Sequence, residues 1–189
     1  MNTNLTKLPN NLPQPKDDGK SDHLVGMTIP SIILTSTKGK IDFSKINTQY
    51  MVLYFFPMMA VSEKSLPSGW NKIPGARGCT PQNIIINEYI EKLQAYDVRV
   101  CGISTQSIDE LTELSLLRKF SQLLISDNSL KFQEKIQIPT FHVENKTVYK
   151  RLTLIVKNFK IVKVFYPVFP PDRHIFEILE WFESNSSKK

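Results

Sequence analysis

Tyr50-Met51-Val52-Leu53-Tyr54-Phe55-Phe56 is an unbroken apolar run that stops at Pro57. A strand with one wet face would alternate apolar and polar residues. A continuous run of this length suits a strand covered on both faces, inside a sheet flanked by helices. Working outward, Ile85, Ile86, Tyr89, Ile90 and Leu93 recur at helical spacing. They predict a helix from about Pro81 to Ala95, with Thr80 as N-cap and Pro81 as the first helical residue. Asp97–Ser104 reads as the next strand. Ile108–Phe120 reads as a second helix, with Leu111, Leu114, Leu117 and Phe120 on one stripe. Gln122–Ser126 is expected as a short strand and Ser129–Glu134 as a short helix. Arg151–Lys157 and Ile161–Phe165 form a hairpin around Asn158-Phe159-Lys160, and Pro171–Phe182 closes the chain as a helix. Upstream of the central run, Ile29–Thr37 is a strand that ends in the turn Lys38-Gly39-Lys40.

Strands and helices that alternate, followed by a hairpin and a helix, give an α/β protein with a central mixed sheet flanked by helices. A thioredoxin-like fold has this order, and other α/β folds share it. The chain has 189 residues, 41% of them hydrophobic and 22% charged. That suits one domain able to bury roughly 70% of its unfolded surface without a disulfide or metal staple. It excludes disorder throughout and a rod. The domain is expected over residues 23–183. Residues 1–22, rich in Asn, Pro, Lys and Asp, read as a flexible tail, and so do residues 184–189.

Several function classes are weakened by the same reading. No apolar run reaches membrane-spanning length. The first residues lack the apolar core of a secretory signal, so a cytoplasmic protein is expected. The net charge is +6, but the lysines are scattered without a run of like charge, which argues against nucleic-acid binding. There are two cysteines, Cys79 and Cys101, and no Cys-x-x-Cys. His23, His142 and His174 have no metal-ligand spacing, so neither metal nor cofactor is expected.

The chemistry points to Cys79. It follows a long segment, residues 58–78, that holds Pro67, Gly69, Trp70, Pro74, Gly75 and Gly78. A loop of that length inside a compact domain is usually functional. Cys79 also directly precedes a helix, whose unpaired N–H groups and partial positive charge favour a thiolate over a thiol. Arg77 adds to that effect if its side chain faces the sulfur. The competing reading is an inert cysteine at a helix start. Cys101 lies within a run of Val, Gly and Ile and reads as a small core residue.

Gly-Cys-Thr-Pro-Gln (78–82) resembles the active-site segment of the peroxiredoxins, most closely the bacterioferritin-comigratory or Q-type branch. The resemblance runs from about Leu24 to Trp181. It includes Leu-Val-Gly-Met-Thr-Ile-Pro (24–30), Tyr-Phe-Phe-Pro (54–57), Val-Cys-Gly-Ile-Ser-Thr (100–105) and Lys-Arg-Leu-Thr-Leu-Ile-Val (150–156), in order. It implies a thioredoxin-like fold and a thiol-dependent peroxidase, an antioxidant enzyme that reduces hydrogen peroxide or organic hydroperoxides. By resemblance Cys79 is the peroxidatic cysteine, and Arg151 orients the peroxide and stabilises charge on the leaving oxygen. Gln82 and Pro57 match positions that line the substrate site.

Three departures accompany it. Pro57 lies 22 positions before Cys79 rather than the usual seven. The position that normally carries a threonine hydroxyl holds Ala76, leaving Ser62, Ser65, Ser68 or Thr80 as substitutes. The place of a resolving cysteine, five residues after Cys79, holds Ile84. An external thiol, of glutathione or thioredoxin type, is therefore expected to reduce the oxidised Cys79, with Cys101 as the alternative resolving group. The protein is expected as a monomer or homodimer. The rival readings are a redox sensor of the same fold and a non-catalytic binding module whose long Trp-bearing loop docks a partner.

Overall fold

The computed structural model describes residues 5–62 and 65–186. The central run forms β3 (Tyr50–Phe55), and all six of its residues are buried. It pairs in parallel with β4 (Val98–Ser104) and antiparallel with β8 (Leu152–Lys157). β5 (Leu123–Ser126) follows β4 in parallel. The hairpin β1 (Ile33–Ser36) and β2 (Gly39–Asp42) closes that edge, and β9 (Lys160–Phe165) closes the other. The sheet order is β2-β1-β5-β4-β3-β8-β9, a mixed sheet.

Alternation along β3 feeds two cores. Tyr50, Val52 and Tyr54 pack against Ile86, Ile90 and Leu93 of α1 (Cys79–Gln94), and against Ile175, Ile178 and Phe182 of α4 (His174–Asn185). Leu111 and Leu114 of α2 (Ile108–Arg118) join them. Met51, Leu53 and Phe55 face the other way, toward Phe43, Tyr149 and Phe132 of α3 (Lys131–Ile136). Each such side chain contributes about 1.5–3 kcal/mol by leaving water, which is why β3 tolerates no polar residue on either face.

Several elements depart from the sequence reading. α1 starts at Cys79, with Gly78 rather than Thr80 as its N-cap. Gly78 has φ +104°, and a Cβ there would sit 2.4 Å from Pro171 Cγ and 2.7 Å from Leu8 Cδ2. Tertiary packing thus turns the chain one residue before the cysteine, and Pro81 falls within the first turn, where its missing N–H costs no helical bond. α2 ends at Arg118; Leu117, within its last turn, is exposed, and Phe120 reaches the core from beyond the helix. α3 begins at Lys131 because Asp127 accepts from the backbone N–H groups of Lys131 and Phe132. A separate hairpin, β6 (Thr140–Val143) with β7 (Lys146–Tyr149), is an element the sequence reading does not contain.

The segment before α1 is packed. Trp70 is only 3% exposed and lies with Met58, Ala76, Val143 and Val148 in a third small core against β6 and β7. Its indole is a core group, not a docking side chain, and the observation removes the basis for a Trp-bearing docking loop.

Residues 5–21, within the stretch expected as a flexible tail, form turns and extended backbone that lie against the domain. Leu8 packs on Gly78 and Pro15 on Gly75. The Asp18 carboxylate accepts from Lys150 Nζ and from the Tyr166 hydroxyl, each at 2.6 Å. At the other end α4 runs to Asn185, into the stretch expected as a tail from residue 184. Residues 1–4 and 187–189 of those expected tails lie outside the described residues. Among the described residues, no helix is long and apolar enough to cross a membrane, and no group of His, Cys, Asp or Glu is arranged to hold a metal.

Candidate active site at the start of helix α1

Gly78 turns the chain into α1, so Cys79 is the first helical residue and Gln82 N–H closes the first helical bond, onto Gly78 O, at 3.1 Å. The first turn is tied to the sheet by side chains. The Tyr54 hydroxyl donates to Asn83 Oδ1 at 2.7 Å, and Asn83 Nδ2 donates to the Cys79 carbonyl at 2.9 Å. Gln122 Nε2 donates to the Asn83 carbonyl at 3.0 Å. Tyr54 reaches Asn83 because it lies over Gly102, its partner on β4, where a Cβ would be 2.5 Å from the ring. These buried bonds set the height of Cys79 above the sheet edge. Tyr54 and Asn83 are site residues that the sequence reading missed. The available signal was an asparagine in the apolar stripe of a helix, four residues after the cysteine.

Arg151 enters from the residue just before β8. Its guanidinium is buried, with the residue 3% exposed. Nη2 lies 3.1 Å from Cys79 Sγ and 3.1–3.3 Å from the carbonyl oxygens of Gly75, Ala76 and Arg77. Nη1 donates to Gln82 Oε1. Among the described residues, Arg151 Nε and Gln82 Nε2 are buried without a hydrogen-bond partner. The partners of this cation are carbonyls, an amide oxygen and a sulfur. A buried cation is costly unless it is hydrogen-bonded, and these acceptors surround it. Cys79 itself is 2% exposed. As a thiol it donates to Ala76 O over 3.5 Å.

Cys79 and Gln82, on the first turn of α1, and Arg151, just before β8, are thus brought together from two separated stretches of chain. Pro57 is buried at the end of β3, where its carbonyl accepts from Ser104 Oγ at 3.0 Å and ties that end to the end of β4. Arg77 meets the site through its carbonyl. Beside Arg151 lies a cavity of about 450 Å³, mostly apolar, walled by Pro15, Ile73, Phe141 and Tyr166.

No protein-family model matches the sequence, and no curated protein matches it. Solved structures do match its fold. Peroxidoxin BcpB from Mycobacterium tuberculosis superimposes with a TM-score of 0.69 at 20% identity, over 86% of this chain and 98% of that one. A PrxQ mutant from Xylella fastidiosa gives 0.68 at 18% identity, over 85% and 95%. The bacterioferritin comigratory protein of Xanthomonas campestris gives 0.64 at 15%, over 94% and 100%. The fold is that of the peroxiredoxins.

On that peroxiredoxin fold the second cysteine is placed away from the first. Cys101 pairs with Leu53 and Leu123 in mid-sheet and packs with the α3 core, whereas Cys79 belongs to the α1 and α4 core on the other face. Burial pushes its thiol up to about 12, with Arg99 opposing weakly. A disulfide needs Cα atoms within about 7 Å and converging Cβ bonds, and here the sheet lies between them. Ala76 is fully buried and offers only its carbonyl. Of the hydroxyls named as substitutes, Ser62 and Ser65 bond each other at the surface, and Ser68 donates its backbone N–H to Glu144. The sulfur's described hydrogen-bond partners are Ala76 O and Arg151 Nη2.

Proposed function

We propose that the chain is a thiol-dependent peroxidase using Cys79 as its one redox-active cysteine. The observation that carries this reading is the Arg151 guanidinium 3.1 Å from a sulfur at a helix start. The thiolate attacks one oxygen of the peroxide and the O–O bond breaks. Cysteine sulfenic acid forms, and the departing oxygen takes a proton and leaves as water or an alcohol. Sulfur is oxidised by two electrons and the peroxide is reduced by two. Developing charge on the leaving oxygen needs preorganised donors. Arg151 Nε and Gln82 Nε2, buried without partners among the described residues, support that role for these two residues. The alkyl peroxide reduction named for the Xanthomonas campestris neighbour, together with the mostly apolar cavity beside Arg151, supports organic hydroperoxides as substrates alongside hydrogen peroxide.

The return step uses two equivalents of an external thiol. The first condenses with the sulfenic acid, releasing water and leaving a mixed disulfide. The second displaces Cys79 as the thiol and departs as the oxidised disulfide. Ile84 at the usual resolving position and Cys101 beneath the sheet support this route over an internal disulfide. A redox sensor of the same chemistry is the second reading, favoured by Ala76, which supplies no hydroxyl to the peroxide. The experiment is peroxide consumption by the reduced protein with excess dithiol, beside Cys79→Ser. Turnover in the parent and none in the variant is expected. Equal rates would end the peroxidase reading, and oxidation of Cys79 without turnover would leave the sensor.

A further inference from the structure

Cys79 is the proposed nucleophile, yet it is closed off from solvent, and the N-terminal segment lies against the stretch just before it. Residues 6–8 lie beside Pro81, Ile84 and Ile85 on the first turns of α1. Leu8 and Pro171 press on Gly78 from two sides, immediately before the cysteine. Seven residues on, Pro15 packs against Gly75, one of the carbonyls held by Arg151. The segment therefore crosses the 75–78 stretch that presents the sulfur, and its residues 14–16 go on to form a wall of the cavity beside Arg151. It contains no helix or strand up to Ser21. A polar anchor follows at Asp18, whose carboxylate accepts from Lys150 Nζ and the Tyr166 hydroxyl. Lys150 precedes Arg151, and Tyr166 lines the same cavity.

We propose that residues 5–18 are a strap that decides which reagents reach Cys79: closed, it admits small molecules and excludes bulky ones, and it opens by releasing Leu8 from Gly78 and Asp18 from Lys150 and Tyr166. The geometry has the parts such a device needs. Among the described residues the strap has no strand pairing to break, Leu8 and Pro15 are its apolar contacts with the 75–78 stretch, and Asp18 holds it through a partly exposed ion pair. Anchors of that kind are individually weak, so opening lies within thermal reach. A bulky reductant would have to wait for that opening, whereas a small peroxide would not.

The test labels the reduced full-length protein with iodoacetamide, which is small, and with a pyrene maleimide, which is bulky. Cys79 and Cys101 are read separately by peptide mass spectrometry. Cys101 under the sheet reports global unfolding. In Asp18→Ala and in Leu8→Ala, pyrene labelling of Cys79 should rise about fivefold, the effect of losing one weak anchor. Iodoacetamide labelling should rise less, and Cys101 should stay unlabelled. Unchanged Cys79 labelling in both variants overturns the proposal. So does a rise in Cys79 that is matched by Cys101, because exposure would then come from unfolding. The strap builds on the proposed role of Cys79, but the assay uses no peroxide. A protein that fails to consume peroxide and still labels faster in the variants loses the peroxidase reading and keeps the strap.

Discussion

Replacing Arg151 by methionine removes the guanidinium that touches the Cys79 sulfur while keeping a long side chain in the space. At 3.1 Å two unit charges interact by ~5 kcal/mol with an effective dielectric near 20. Water entry and local relaxation recover part of that. A net loss of about 3 kcal/mol in holding the thiolate, and the charge that follows it in the transition state, corresponds to roughly a hundredfold in rate. Both iodoacetamide labelling of Cys79 at pH 7 and peroxide consumption should therefore fall about a hundredfold. Arg151→Lys keeps the charge, but a single ammonium cannot span the sulfur, three carbonyls and the Gln82 amide as the planar fork does. It should lose about tenfold. Both variants also leave buried acceptors at Gly75, Ala76 and Arg77 short of donors, at about 1–3 kcal/mol for each that stays unpaired. Thermal melts must therefore confirm a cooperative fold before rates are compared. An Arg151→Met protein that melts cooperatively and keeps both rates within twofold of the parent would refute the reasoning. The guanidinium would then be a structural tie for residues 75–77 and nothing more.

Other outcomes follow from the same geometry. After one equivalent of peroxide without reductant, the intact mass should gain one oxygen on Cys79, with no intramolecular disulfide. Cys101→Ala should keep peroxide turnover and lose about 1 kcal/mol of stability, whereas a loss of two hydrogens would assign Cys101 as the resolving group. Gly78→Ala forces a Cβ into Pro171 and Leu8 at a left-handed φ. It should destabilise by about 2–4 kcal/mol in denaturant melts and slow Cys79 chemistry, and a neutral variant would show that the helix start can shift. His174 is buried between Thr153 Oγ1 and Glu177 Oε2. Burial holds it below its ordinary range, with Glu177 opposing and Arg151 reinforcing. The unfolded chain therefore takes up the proton first as pH falls. This stability is present above about pH 6.5 and is lost progressively below it. Melting temperature should fall from pH 7 to pH 5, and His174→Gln should flatten that slope.

The elements that were readable in advance are those with strong local signals. β3 announced itself because both of its faces are buried, α1 because Ile86, Ile90 and Leu93 keep helical spacing, and β8 with β9 because a tight turn joins them. What was missed is tertiary. The helix start depends on Leu8 and Pro171 closing on Gly78, from far away in sequence. The β6 and β7 strands are four residues each, with polar residues on partly exposed positions, and they carry too weak an alternation to be separated from loop. Residues 5–21 are polar and proline-rich, and their few anchors leave no periodic trace. At the site, Cys79 stands out by its place after a long loop and at a helix start, whereas Gln82 and Arg151 are reached through the resemblance. No local pattern joins an arginine to a cysteine across so many residues, and the Tyr54–Asn83 tie is visible only once β3 and α1 are packed.

The clamp of Arg151 on three consecutive carbonyls bears on how much this chain can be lengthened. Those carbonyls belong to the last residues before Gly78, so the end of the inserted stretch is nailed down independently of its length. Extending a loop from seven to 22 residues raises the closure entropy by only about 1 kcal/mol. Val61 and Ser62, both exposed within that stretch, are therefore a natural grafting port. A reporter peptide or an affinity tag spliced there would hang from the molecule without passing its motion on to the sulfur.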